Sequence, residues 1–137
     1  MDRVIIYTDG GARGNPGPAG AGVVIIDGET KIEFKKYLGE RQTNNWAEYE
    51  AVALALAEAK KHNLVGRAIE VRMDSMLVVE QIKGNWKIKE PTLRPQAAKV
   101  HELLTEFPDY RFVHIPREKN AEADRLVNEA IDDQVGR

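Results

Sequence analysis

The 137-residue chain contains no cysteine. Disulfides and thiolate metal sites are therefore excluded, and a reducing compartment fits. Histidine is nearly as scarce, at three residues, His62, His101 and His114. Long apolar runs are missing as well. The opening "MDRVIIYTD" has four consecutive apolar residues before polar ones return, so neither a signal peptide nor a membrane span is expected and the cytoplasm is the expected location. The net charge is only −2, which by itself argues against a nucleic-acid binder. No repeat, low-complexity tract or linker divides the chain. With 42% apolar and 31% charged residues, residues 1–137 read as one soluble domain with a single core.

Glycine and proline are instead concentrated. In "YTDGGARGNPGPAG" (7–20), five glycines and two prolines follow Asp9 within eleven residues. Glycine tolerates close approach of another backbone or a ligand, and proline stiffens, so a shaped loop beside Asp9 is expected. Charge is also uneven. Between Lys83 and Lys99, five bases face only Glu90, a local balance of +4; a solvated lysine-decorated surface is the plainest account of it.

Periodicity predicts strands over 3–8, 19–27, 30–38, 68–74 and 110–115 and helices over 43–63, 75–84, 92–107 and 121–133. The order is β-β-β-α-β-α-α-β-α. Three strands joined by tight turns make an antiparallel meander, and later strands separated by helices enter in parallel. The expected architecture is α/β, a mixed five-stranded sheet flanked by helices.

Four acids can meet at one sheet edge. Asp9 and Asp74 end strands, where open α/β sheets bind ligands. Glu48 lies in the first turn of a helix expected to open at Asn45, and Asp124 in the first turn of one opening at Asn120. Each acid alone is readily explained by capping or turn formation. Together they would repel unless cations neutralise them. The ligand set is hard oxygen, which suits Mg²⁺ or Mn²⁺ and not zinc. Four carboxylates around two such ions suit phosphodiester chemistry, one ion activating water and the other stabilising the leaving oxygen. "TNN" (43–45) places hydroxyl and amide groups at a helix start, a phosphate or ribose site that can double as a cap. No nucleotide-binding fingerprint is present: no glycine precedes Lys-Ser or Lys-Thr, and "GPAGAGVV" is not a dinucleotide motif.

The segments "YTDGGARGNPGPAGAGVVI", "TNNWAEYEAV", "RMDSMLVVEQI" and "HIPREKNAEADRLVNEA" together resemble a type 1 ribonuclease H, in chain order and over nearly the whole length. The last is most similar to the short forms of archaea, some bacteria and plants. The resemblance implies the ribonuclease H-like fold. It also implies an endonuclease that cuts the RNA strand of RNA–DNA hybrids with two Mg²⁺ ions, Mn²⁺ being a possible substitute, and leaves 5′-phosphate and 3′-hydroxyl ends. By motif match Asp9, Glu48, Asp74 and Asp124 are the metal-binding carboxylates. Asn15, Asn44 and Asn45 contact nucleic acid, Thr43 sits in a DNA phosphate pocket, and backbone from Gly10 and Gly11 to Arg13 reads 2′-hydroxyls. A monomer without an obligate protein partner or membrane is expected.

Three departures from the family pattern stand out. Of the basic helix and loop of longer bacterial enzymes only "KGNWKIKEPTLR" remains, where Trp86 with Lys83, Lys87 and Lys89 forms a reduced DNA-strand contact or Trp86 packs in the core. Met76 stands where many members carry Gln or Asn. The mobile-loop histidine is absent from "PREKN" (116–120). Arg117 is expected to replace it electrostatically, while His114, sharing a strand face with Tyr110 and Phe112, is expected to pack within the sheet. Three other readings compete. A haloacid dehalogenase-type phosphatase needs an acid at position 11, which is glycine. An excised reverse-transcriptase ribonuclease H domain needs a polymerase on the same chain. A catalytically silent hybrid-binding module would not need all four acids.

Overall fold

The computed structural model describes residues 3–135. Its five-stranded sheet has the order β3-β2-β1-β4-β5, from β1 (Val4–Ala12), β2 (Gly17–Asp27), β3 (Thr30–Gln42), β4 (Ile69–Met73) and β5 (Tyr110–His114). β1–β2 and β2–β3 pair antiparallel, β1–β4 and β4–β5 parallel, as the order of elements predicts. Helices α1 (Asn44–Lys61), α2 (Met76–Ile82) and α3 (Arg94–Leu104) close a core with Val4, Ile6, Val23, Ile25, Val71 and Phe112 on one face of the sheet. The long final helix, α4 (Ala121–Val135), lies on the other face over β2, β3 and β1.

Several boundaries differ from the sequence expectation. The predicted helix over 92–107 is split into a short 3-10 turn, Pro91–Leu93, and α3, whose early Pro95 fits a first turn that needs no N–H donor. The largest difference concerns the glycine-rich stretch. It is not a loop directly after Asp9, because Gly10, Gly11 and Ala12 continue β1 and pair with Ala21, Gly20 and Ala19. The glycines there serve the fold. A Cβ on Gly10 would come within 2.1 Å of the Ala47 carbonyl of α1, and one on Gly22 within 2.2 Å of the Ala123 carbonyl of α4. Helix backbone thus lies against sheet backbone on both faces, and any side chain at either position would lift a helix away. These two helices carry Glu48 and Asp124, so the glycines also set how near those acids come to Asp9.

Candidate active site

Register brings the strand acids together. Tyr7 pairs with Arg72 in the parallel β1–β4 ladder, so Asp74, just past β4, comes alongside Asp9 on the same sheet face. Ser75 follows and caps α2, its Oγ accepting from Val78 N at 3.3 Å, which turns the chain away and leaves Asp74 at the edge. Glu48 arrives from α1. The cap of that helix is Thr43, whose Oγ1 accepts from Trp46 N at 3.2 Å, rather than Asn45. Glu48 therefore takes no part in a capping box, and its Oε1 instead accepts from Gly10 N at 3.0 Å.

Asp9, Glu48 and Asp74 offer carboxylate oxygens that all lie within 4.8 Å of one another. Asp124, one turn into α4, is exposed and reaches Asp9 by a shared hydrogen bond. Asn120 does not cap α4 with its side chain. Its Nδ2 donates to the Thr8 carbonyl at 2.8 Å and pins the start of α4 to β1.

Among the described residues, no cation fully balances these acids. Burial, the charge of Asp74 and the hydrogen bond with Asp124 push the Asp9 carboxyl up to about 8. Burial, with Asp9 and Asp74 nearby, raises Glu48 well above the ordinary carboxylate range, against the opposing Gly10 N–H. Asp74 is raised by burial, while Arg117 and His114 act to lower it. The Arg117 Nε stands 4.0 Å from Asp74 Oδ2, with its side chain 90% exposed. Four oxygen-donor side chains short of positive charge fit a hard divalent cation. Asp9, Glu48 and Asp74 could hold one directly.

The acids line a groove of about 380 Å³ with Gly10, Gly11, Ala12, Arg13, Asn44, Arg117 and Asn128. Asn44 and Asn15 are joined at its rim: Ala12 N donates to Asn44 Oδ1 at 2.8 Å, and Asn44 N to Asn15 Oδ1 at 3.0 Å. The Arg13 side chain turns to α4, donating to Asp132 and Asn128. Thr43 lines a separate hollow of about 300 Å³ with Arg41 and Thr92, two polar residues that sequence reasoning missed; α1, β4 and α2 separate Thr92 from the other two in the chain. Asn45 is half-buried beside them. Trp86 is 45% exposed, which removes the core-packing alternative. With Lys87, Lys89, Leu77 and Leu93 it lines a third hollow, of about 530 Å³.

His114 corrects the sequence expectation. It shares its strand face with buried Phe112, yet it is exposed: β5 is the outer strand of the sheet, and its last residue pairs with Met73 and stands next to Asp74. Both His114 and Arg117 therefore stand at the acid groove.

Residues 7–130 match the family model described as reverse transcriptase-like. The chain is 45% identical over 96% of its length to a protein of Halobacterium salinarum named ribonuclease HI, and spans 65% of that relative. It is 42% identical to a bifunctional protein of Mycobacterium tuberculosis, of which it spans 36%. Among solved structures it resembles LC11-RNase H1, isolated from compost by a metagenomic approach, at TM-score 0.92 and 53% identity, covering 99% of this chain and 100% of that one. LC11-RNase H1 has also been crystallised with an RNA/DNA hybrid, and that structure matches at TM-score 0.91 and 52% identity, with 98% and 100% covered. Motifs, sheet order, acid groove and relatives all agree, and the chain belongs to the type 1 ribonuclease H family.

Proposed function

We propose that this protein is a metal-dependent endoribonuclease that hydrolyses the RNA strand of RNA–DNA hybrids, leaving 5′-phosphate and 3′-hydroxyl ends. The observation that carries the reading is the meeting of Asp9, Glu48 and Asp74 within 4.8 Å in an open groove. It is supported by the similarity to LC11-RNase H1, which binds an RNA/DNA hybrid in its crystal structure. Asp9, Glu48, Asp74 and Asp124 hold two Mg²⁺ ions, with Mn²⁺ as a substitute. When bound, such ions supply an activated water and stabilise the leaving oxygen of an in-line displacement.

The chain's own groups position the substrate. Asn15 and Asn44 commit their side-chain oxygens to backbone N–H groups, which leaves their Nδ2 hydrogens for the RNA strand, with Asn45 beside them. The backbone of Gly10 and Gly11 in β1, with that of Arg13 at the start of the following turn, forms the wall on which 2′-hydroxyls are read. The Thr43 hydroxyl accepts from Trp46 N and keeps its own hydrogen for a DNA phosphate oxygen. Trp86, Lys87 and Lys89 take the DNA strand further along. Arg117 remains charged at any working pH, so it holds phosphate or eases product departure by charge and does not shuttle protons. We read the protein as a cytoplasmic monomer.

A gel assay on a labelled hybrid, on the matching RNA and DNA duplexes, and with and without Mg²⁺ tests the proposal. Cleavage of the RNA strand of the hybrid alone, only with metal, is expected. Metal-independent cleavage overturns it. Binding that protects the RNA strand identifies a silent hybrid-binding module instead.

A further inference from the structure

The turn between β1 and β2 does more than reverse the chain. From a few consecutive residues it grips both helices that deliver acids to the groove. Toward α1, the helix of Glu48, Ala12 N donates to Asn44 Oδ1 at 2.8 Å and Asn15 Oδ1 accepts from Asn44 N at 3.0 Å. Toward α4, the helix of Asp124, the Arg13 guanidinium places Nη1 2.6 Å from Asp132 Oδ1 and Nη2 3.1 Å from Asn128 Oδ1. Asn128 in turn donates from Nδ2 to the Asp124 carbonyl at 3.1 Å. Arg13 itself is fixed by its own N–H, which donates to the Pro18 carbonyl at 2.8 Å across the turn.

We infer that this turn is a clasp across the groove and that Arg13 is a positioning residue, acting through Asn128 and Asp132 to set Asp124 against Asp9. The inference rests on the reading of Asp124 as a metal-binding carboxylate. The need for such a device follows from the geometry. Asp9, Glu48 and Asp74 are held in or beside the sheet, whereas Asp124 is exposed on the far helix and lies outside their 4.8 Å cluster. Its distance from Asp9 depends on how α4 sits. Gly20 and Gly22 let α4 approach the sheet, but close approach alone leaves the helix able to slide or rotate. A planar guanidinium with two donors on residues one turn apart fixes both axial position and rotation, which a point charge cannot do. Arg13 and Asp132 are partly exposed, so the pair adds little to overall stability. Its effect falls on geometry.

The test compares Arg13→Ala, Arg13→Lys, Asp132→Asn and the double variant Arg13→Ala/Asp132→Asn with the wild type. Mn²⁺ binding to the substrate-free protein is read by electron paramagnetic resonance, hybrid affinity by anisotropy in chelator, and turnover against Mg²⁺ concentration. Removing an outer group that orients a metal-binding carboxylate changes metal affinity by about 10-fold or more. Arg13→Ala and Asp132→Asn should each raise the Mn²⁺ dissociation constant and the half-saturating Mg²⁺ concentration on that scale. The double variant should be no worse than either, hybrid affinity in chelator should stay close to wild type in Asp132→Asn, and Arg13→Lys should restore only part. Weakened hybrid binding in Arg13→Ala with an unchanged metal response would make Arg13 a nucleic-acid contact and overturn the clasp, as would additive losses in the double variant. If Arg13→Ala fails to fold, Arg13→Lys and Asp132→Asn decide. If the wild type binds Mn²⁺ but cuts no hybrid, the proposed activity fails while the Mn²⁺ measurements still judge the clasp.

Discussion

Two carboxylates on adjacent strands face the same side of the sheet and are almost equally buried, Asp9 at 7% exposure and Glu70 at 5%. Ile5 pairs with Glu70 across β1 and β4, so the two acids are separated by only four residues of strand. Their surroundings differ. Glu70 receives Arg72 Nε at 2.6 Å on one oxygen and Arg111 Nε at 2.6 Å on the other. Burial pushes its carboxyl up, but the two guanidinium groups outweigh that and hold it below the usual range. Arg72 also donates to the Tyr7 hydroxyl at 2.8 Å and lies over that ring. Asp9 has burial, Asp74 and Asp124 around it and one N–H in opposition, and its carboxyl rises to about 8. Burial alone therefore does not decide what an acid is for. Where the chain supplies cations, the acid ties strands together; where it withholds them, the site is left short of charge that a metal ion can provide.

The largest expected effect comes from exchanging each acid for its amide. Asp9→Asn should lower hydrolysis by ~10³-fold or more, since it removes a ligand and a charge from the reacting centre. In chelator the same variant should unfold about 3–5 °C higher than wild type, because it relieves repulsion worth about 1 kcal/mol or more. Glu70→Gln should do the reverse. It leaves Arg72 and Arg111 without their carboxylate and should lose about 2 kcal/mol, a figure reduced from that of a fully buried pair because both arginines are partly in water. Turnover below the unfolding range should be kept. Calorimetry and single-turnover kinetics on both variants check this. If Asp9→Asn is destabilised and Glu70→Gln inactive, the division between the two acids is wrong.

pH sharpens the same contrast. An acid whose folded pKa lies above its unfolded value contributes stability that is present below the unfolded pKa and is lost as pH rises through the folded one. For Asp9 that window runs from about 4, the ordinary value, to about 8. Glu70, lowered by its arginines, contributes stability present above the unfolded pKa and lost as pH falls. Without metal, the unfolding temperature should therefore decline from pH 5 to pH 8. Asp9→Asn should flatten that decline, and Glu70→Gln should flatten only the acid limb. Added Mg²⁺ or Mn²⁺ should recover most of the loss at pH 8. A metal-free unfolding temperature that rises steadily to pH 8 would contradict the unpaired state of the groove.

A smaller effect separates the two groups that stand beside Asp74. Arg117→Ala should lower turnover about 10-fold, the scale of taking one charged group away from the transition state, with the unfolding temperature unchanged because its side chain is 90% exposed. His114→Ala, exposed at the end of β5, should also leave stability unchanged. Loss of turnover in His114→Ala beside a silent Arg117→Ala would move the role to the imidazole.

Element order, sheet topology and the acids were legible because each has a local signature: β-branched runs, helical periods, and acids at strand ends and first helical turns. What stayed hidden depends on neighbours distant in sequence. Gly10 reads as part of a loop and Gly22 as an ordinary strand residue, because nothing nearby shows that Ala47 and Ala123 carbonyls will lie against them. Strand alternation places His114 on the face of Phe112 but does not say where the core stops. Thr43 and Asn45 are equally good caps in sequence, and the Glu48 bond to Gly10 N removes the capping box that favoured Asn45. Glu70 and Arg72 alternate on one face of "AIEVRMD", a local signal of a paired acid and base on one strand. Arg13 and its partners on α4 are more than a hundred residues apart and leave no trace in either segment.

Paired and unpaired charge can be compared once more, on lysines. Lys35 lies 3.2 Å from Glu129 and 3.1 Å from Asp133, joining β3 to α4. Lys87 and Lys89 enter no ion pair among the described residues and stand exposed around the hollow of Trp86. The segment is held in place without them: the Tyr49 hydroxyl donates to Gln81 Oε1 at 2.7 Å, and Gln81 Nε2 donates to the Lys87 carbonyl at 3.3 Å. Substituting the two side chains should therefore leave the backbone where it is. Each lysine that meets a DNA phosphate releases counterions and contributes roughly 0.9 to the slope of log affinity against log salt. Replacing Lys87 and Lys89 by Ala should weaken hybrid binding several-fold near physiological salt, regardless of sequence, and reduce that slope by about 1–2. Turnover at saturating hybrid should be kept, because neither lysine lines the acid groove. Lys35→Ala, which removes a lysine already neutralised by two acids, should leave both affinity and slope as they were. Binding titrations at several salt concentrations on the two variants decide it: equal slopes in both would make Lys87 and Lys89 a solvated surface like any other.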